Sequence, residues 1–166
     1  MEVLAKQYEW IRVTRETLFS YCEALKPEDY VRELDGFGFG SIRNLHVHVS
    51  NCYEHWLRGF GLWQEPKYVK PETVQSVEEM RKVFGKVNAL AEEFLREYEG
   101  KWDTVISRTF EETGEVEELT PLWLLTHTVT HEFHHKGQIL SMSRQMGYTP
   151  VDSDLISPKD IKETNA

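Results

Sequence analysis

One long helical segment near the C-terminal end constrains this chain more than any other feature. Thr120-Pro121 pairs an N-cap residue with a proline at the first helical position, and Gly147 followed by Pro150 supplies the stop, so a helix is expected over 121–146. Four of the seven histidines, His127, His131, His134 and His135, fall within nine residues of it. Together with Leu124, Gln138 and Met142 they share a sector about 100° wide around the axis. Leu122, Val129, Phe133, Ile139 and Leu140 occupy neighbouring directions, which describes a helix buried over much of its circumference. Buried imidazoles without partners carry a desolvation cost, and a shared metal ion would satisfy several ring nitrogens at once. His131 and His135 lie one turn apart, about 40° around the axis and about 6 Å along it, which suits two ligands of one ion.

Such a helix needs others to bury it. Leu4, Tyr8, Ile11, Leu18, Cys22 and Leu25 recur at spacings of four, three and seven, predicting a first helix from Glu2 to Leu25 that Lys26-Pro27 stops. The glycine-rich stretch 35–40 reads as a loop, with Ser41 as the next N-cap. A second helix is expected over Ile42–Arg58, with Ile42, Leu45, Val49, Cys52 and Trp56 as its buried stripe. His46 and His48 each lie about 80° from the centre of that stripe, on opposite sides, so periodicity leaves open which one turns inward. Gly59, Gly61, Pro66 and Pro71 mark a long crossover. A capping box at Ser76 and Glu79 opens a third helix that ends at Gly100. Val105–Phe110 and Val116–Leu119, flanking Thr113-Gly114, suggest a short hairpin before the fourth helix, and the tail from Val151 to Ala166 is expected to pack only in part. The whole, residues 1–166, reads as one all-α domain, a four-helix bundle with a long crossover, and facing helices of such bundles build metal sites in their shared core.

A formal net charge of −9 is the wrong sign for neutralising phosphates, so nucleic acid is not an expected partner. No apolar run approaches the length a membrane span needs. The two cysteines and the absence of a secretory apolar region in the first 30 residues fit a reducing cytoplasm. Cys22 and Cys52 fall on buried stripes and read as small core residues. Trp56 and the loop around Phe37 and Phe39 could line a pocket, but read first as ordinary packing aromatics.

Two histidines on one helix and one on another give three nitrogen ligands with an open fourth position, the arrangement of a catalytic rather than a closed structural zinc site. Residues 131–135 also satisfy His-Glu-x-x-His, the metalloprotease helix signature in which the glutamate is the general base. No longer histidine pattern follows it, and Glu132 points about 100° from His131 around the helix. Glu132 therefore reads as a solvated carboxylate or one supporting the ligands from behind.

Ser41 to Val49 followed by Trp56-Leu57, together with His131 to His135 and Lys136-Gly137-Gln138-Ile139, resembles the DinB/YfiT-like superfamily of metal-dependent bundle proteins over nearly the whole chain. Lys136 stands where arginine is more usual. The family's second-helix ligand lies in an Ile-Arg-x-Leu-x-x-His frame, which falls on His48 and leaves out His46. The resemblance thus implies a bundle, often a homodimer, in which His48, His131 and His135 bind a divalent metal ion (nickel, zinc or iron). The activities it implies include thiol-dependent isomerisation and thiol-dependent transfer of the bacillithiol type, and the leading expectation is the transferase, with a small-molecule thiol and an electrophilic substrate as partners. A metal-dependent hydrolase using bound hydroxide and a non-catalytic metal-binding bundle are the alternatives.

Overall fold

The structure, a computed structural model, describes residues 3–109 and 114–155; Glu2, Phe110, Thr113 and residues 156–166, on which expectations were placed above, lie outside the described residues. Five helices and one two-stranded ribbon follow in order: α1 (Val3–Glu23), α2 (Pro27–Val31), α3 (Ile42–Tyr53), α4 (Val77–Glu97), β1 (Ile106–Thr109), β2 (Val116–Leu119) and α5 (Pro121–Gln145). Four of them, α1, α3, α4 and α5, form the bundle; α3 packs on both α4 and α5, and α1 lies on α4. Pro27, expected only to stop the first helix, also begins α2, since its fixed φ and missing N–H suit a first helical position.

The end signals act locally as the side-chain chemistry predicts. Ser41, Ser76 and Thr120 each accept a hydrogen bond from a backbone N–H of the following turn, at Asn44, Glu79 and Trp123 respectively. Glu79 returns a contact by accepting from the Gln75 N–H at 2.6 Å, one residue earlier than in an ideal capping box. Residues 106–109 and 116–119 pair antiparallel, Ile106 opposite Leu119 and Thr109 opposite Val116.

The second helix runs further than periodicity indicated, because α3 passes directly into a π-helical segment, Glu54–Gly61. Gly59 and Gly61 lie inside that segment rather than in a crossover, and the connection to α4 starts only at Leu62 and contains a 3₁₀ turn at Pro71–Thr73. A buried Arg58–Glu54 ion pair of 2.5 Å braces its wide winding; the same carboxylate accepts from the Lys67 N–H at 3.0 Å. Gly61 is required by contact rather than by conformation: an added Cβ would meet Phe94 Cε2 at 2.5 Å. Phe94 is fully buried in the bundle core and has no room to yield. Gly61→Ala is therefore expected to cost about 1–3 kcal/mol of stability through overpacking, measurable as a lower urea midpoint with an unchanged slope.

Candidate metal centre

α3 and α5 bring the predicted ligands together. Their contact runs antiparallel, with His48 against His131 and His135 at one level and Trp56 against Trp123 and His127 at another. His48 Nε2 lies 2.9 Å from His131 Nε2, so one ring donates to the other. The ring centroids of His48, His131 and His135 are 4.4–4.8 Å apart. Each ring offers a nitrogen such that the three atoms all fall within 4.8 Å of one another. Nitrogens around a tetrahedral zinc ion would be about 3.4 Å apart, given Zn–N bonds of about 2.0–2.1 Å. Small side-chain rotations close that difference, so the donor set fits a divalent ion.

Protonation supports the same use. Burial, then repulsion from the neighbouring imidazoles, lowers His131 to about 4. His48 and His135 are lowered for the same first reason, and in His135 the hydrogen bond to Gln138 partly opposes the shift. All three rings are thus neutral near pH 7 and keep a lone pair to offer. His135 Nδ1 lies 2.6 Å from Gln138 Oε1; the carbonyl oxygen accepts the Nδ1 proton and leaves Nε2 free as a donor to metal.

The two candidates on α3 separate cleanly. His46 turns to the other side, 3% exposed, with its ring 5.1 Å from Phe19 and Nδ1 3.2 Å from the Tyr30 hydroxyl. Burial pushes its pKa down to about 3, and its Nε2 is the one buried side-chain polar atom among the described residues that has no hydrogen-bond partner. On α5, His134 is exposed and only edges against His135. His127 stacks on Trp123 at 4.9 Å and 10°, meets Trp56 edge-on at 5.1 Å and has His131 at 5.7 Å.

Two expectations are corrected. Phe39 is not simple packing: it stacks on His48 at 3.9 Å and meets His135 edge-on at 5.7 Å. The loop that carries it is pinned by the Asn44 side chain, which donates to the Phe39 carbonyl at 2.8 Å, and turns on Gly36 and Gly40 at positive φ. Phe39 and His48 border an open cavity of roughly 640 Å³ that Glu33 and Asp35 also line. Glu132 is not solvated either. At 7% exposure it receives Arg15 through two bonds of 2.6 and 2.8 Å and the Tyr53 hydroxyl at 2.7 Å. With both oxygens occupied it is not placed to serve as a protease base. Cys52 is buried, as its place on the apolar stripe predicts, and in addition Cys52, His127 and His131 place their donor atoms within 4.8 Å of one another. Burial, then the Glu132 charge, pushes this thiol up to about 12, so it is no free thiolate at neutral pH.

Sequence reasoning missed Arg15 and Tyr53 entirely. It also left unexplained the basic residue after the histidine pair. Lys136 is buried, lies 4.0 Å over the Phe133 ring, and donates to the Ser153 carbonyl at 2.5 Å, which ties the described part of the tail to α5. No helix among the described residues is long and apolar enough to cross a membrane.

Comparison with known proteins agrees with the motif. No curated protein matches the chain. The family comparison does, and it spans residues 1–165, taking in every helix of the bundle and both halves of the histidine cluster: the chain belongs to the DinB family.

Proposed function

We propose that this protein is a metal-dependent enzyme that transfers a small-molecule thiol to an electrophile, with His48, His131 and His135 holding a divalent ion. One observation carries the reading: three neutral imidazoles converge beside a cavity that reaches them through His48 and Phe39. A bound divalent ion would act there as a Lewis acid, favouring the thiolate form of a thiol brought to it. Everything else falls to the chain. Gln138 fixes the His135 tautomer, Phe39 covers one face of His48 and narrows the approach, and the cavity beside them is large enough for a small organic substrate. In the reaction the thiol's proton is released to solvent, and the sulfur–carbon bond forms as the electrophile's leaving group departs with the electron pair.

The sealing of Glu132 by Arg15 and Tyr53 speaks against a hydrolase that uses this carboxylate as base, and the test separates the transferase from a hydrolase that relies on metal-bound hydroxide alone. The test uses protein purified without a histidine tag, stripped by chelator and reloaded with zinc, nickel or iron. It is incubated with low-molecular-weight thiols and an activated aryl halide, beside ester and peptide substrates. Metal-dependent loss of free thiol with formation of the thioether is the expected result. Metal-dependent ester cleavage without thiol consumption would replace the proposal by the hydrolase. Metal stabilisation with no turnover of any class would leave a binding bundle.

A further inference from the structure

Along the α3–α5 contact, both helices present donor atoms at intervals of four residues: His48 and Cys52 on α3, and His127, His131 and His135 on α5. Four residues advance a helix by about 6 Å and turn it only about 40°, so each series forms a row facing the other. Because the helices run in opposite directions, the rows match in two levels. At the first, His48 meets His131 and His135; at the second, Cys52 meets His127 and His131, again with all donor atoms within 4.8 Å. His131 belongs to both.

The second level has the marks of a site rather than of packing. Cys22 is part of the contiguous apolar core, whereas Cys52, though buried, is not. The His127 ring is held in orientation by Trp123 stacked on one face and by Trp56 edge-on at 5.1 Å. We propose that Cys52, His127 and His131 form a second metal station, of one sulfur and two nitrogens, selective for thiophilic ions of the zinc and cadmium class. A thiolate in the donor set favours zinc and cadmium over nickel and iron, whereas three imidazoles accept zinc, nickel and iron alike. Binding exchanges the Cys52 S–H proton, released to solvent, for a sulfur–metal bond. Since His131 is shared, an ion at one level withdraws a ligand from the other, and a soft ion at Cys52 competes with occupancy of the three-histidine level.

Cobalt(II) and cadmium(II) are the probes, because each gives a sulfur-to-metal charge-transfer absorption only when a thiolate is bound. The decisive protein is the His48→Ala/His135→Ala double variant, in which the first level is disabled; His48→Ala alone gives the same reading should the double variant fold poorly by circular dichroism. The expected result is stoichiometric binding with a sulfur charge-transfer band that is lost in Cys52→Ser and in His127→Ala and retained in Cys22→Ser. Cobalt binding by the parent, lost in His48→Ala and never accompanied by a sulfur band, would overturn this inference and leave the three-histidine reading intact. A band that survives Cys52→Ser would overturn it as well. Absence of cobalt binding in every protein would overturn both readings.

Discussion

Titrated with zinc or nickel at neutral pH, a His131→Ala protein is expected to bind more than about 100-fold more weakly than the parent, while Gln138→Leu weakens binding by about 10–100-fold. The difference follows from what each side chain contributes. His131 supplies a donor atom, and it is the residue common to both sets of convergent donors on the α3–α5 contact, so its loss leaves no complete triad. Gln138 touches only the Nδ1 side of His135. Removing it frees the imidazole to rotate and to exchange tautomers, and leaves the donor atom in place. Metal-dependent stabilisation should track these affinities: at a fixed excess of ion, the upward shift in Tm seen in the parent shrinks in Gln138→Leu and vanishes in His131→Ala. Isothermal titration and melts with and without chelator check both. Unchanged affinity in His131→Ala would refute the centre itself, and a Gln138→Leu protein that binds like the parent would show that the 2.6 Å contact is incidental.

Much of this centre was legible because its residues obey helical spacing. His131 and His135 are one turn apart on a segment whose two ends are marked by Thr120-Pro121 and Gly147, and the helix forms where those signals put it, over Pro121–Gln145. The partner histidine was harder. His46 and His48 flank the apolar stripe symmetrically, and which one faces α5 depends on how α3 is rotated against its neighbours. That rotation is a property of the assembled bundle, fixed by Phe19 and Tyr30 closing on His46 from α1 and α2. The π-helical extension was hidden for a similar reason. Glycines at 59 and 61 read locally as breaks, yet Gly61 is needed where the chain passes against Phe94, a contact invisible at short range.

Arg15 left a signal that was not used. The apolar stripe of α1 steps by three or four residues except between Ile11 and Leu18, and position 15 is what a regular step would place in that gap. A charged residue at a buried phase needs an opposite charge on a facing helix. Glu132 points away from the neighbouring histidines on α5, which aims it toward that partner. Arg15 was passed over and Glu132 was read without it, because sequence gives no way to see that residues 117 positions apart share a bond.

That pair sets the second large expectation: Glu132→Gln should destabilise the protein by about 3–5 kcal/mol, roughly 6–20 °C in Tm, because it leaves a buried guanidinium without its counter-charge. Both side chains are at most 9% exposed, so solvent cannot substitute for the lost partner. Arg15 also donates to Asn88 on α4 at 2.6 Å and lies 4.7 Å from the Phe84 ring, so the cluster joins α1, α3, α4 and α5 around one charge. The sign of a second substitution separates structure from catalysis. Adding Arg15→Met to a Glu132→Leu protein removes both charges and should recover much of the stability that Glu132→Leu alone loses, since well-packed apolar replacements of buried ion pairs are often neutral. Were Glu132 instead the general base of a His-Glu-x-x-His hydrolase, Glu132→Gln would keep the fold and lose turnover, and no change at Arg15 would compensate. Urea denaturation of Glu132→Gln, Glu132→Leu and the Arg15→Met/Glu132→Leu double variant, beside turnover of each, distinguishes the cases: a stable, inactive Glu132→Gln protein would place the glutamate in the active site, whereas an unstable one, together with recovery of the double variant relative to Glu132→Leu, fixes it as the clamp that holds α5, and with it His131 and His135, against the rest of the bundle.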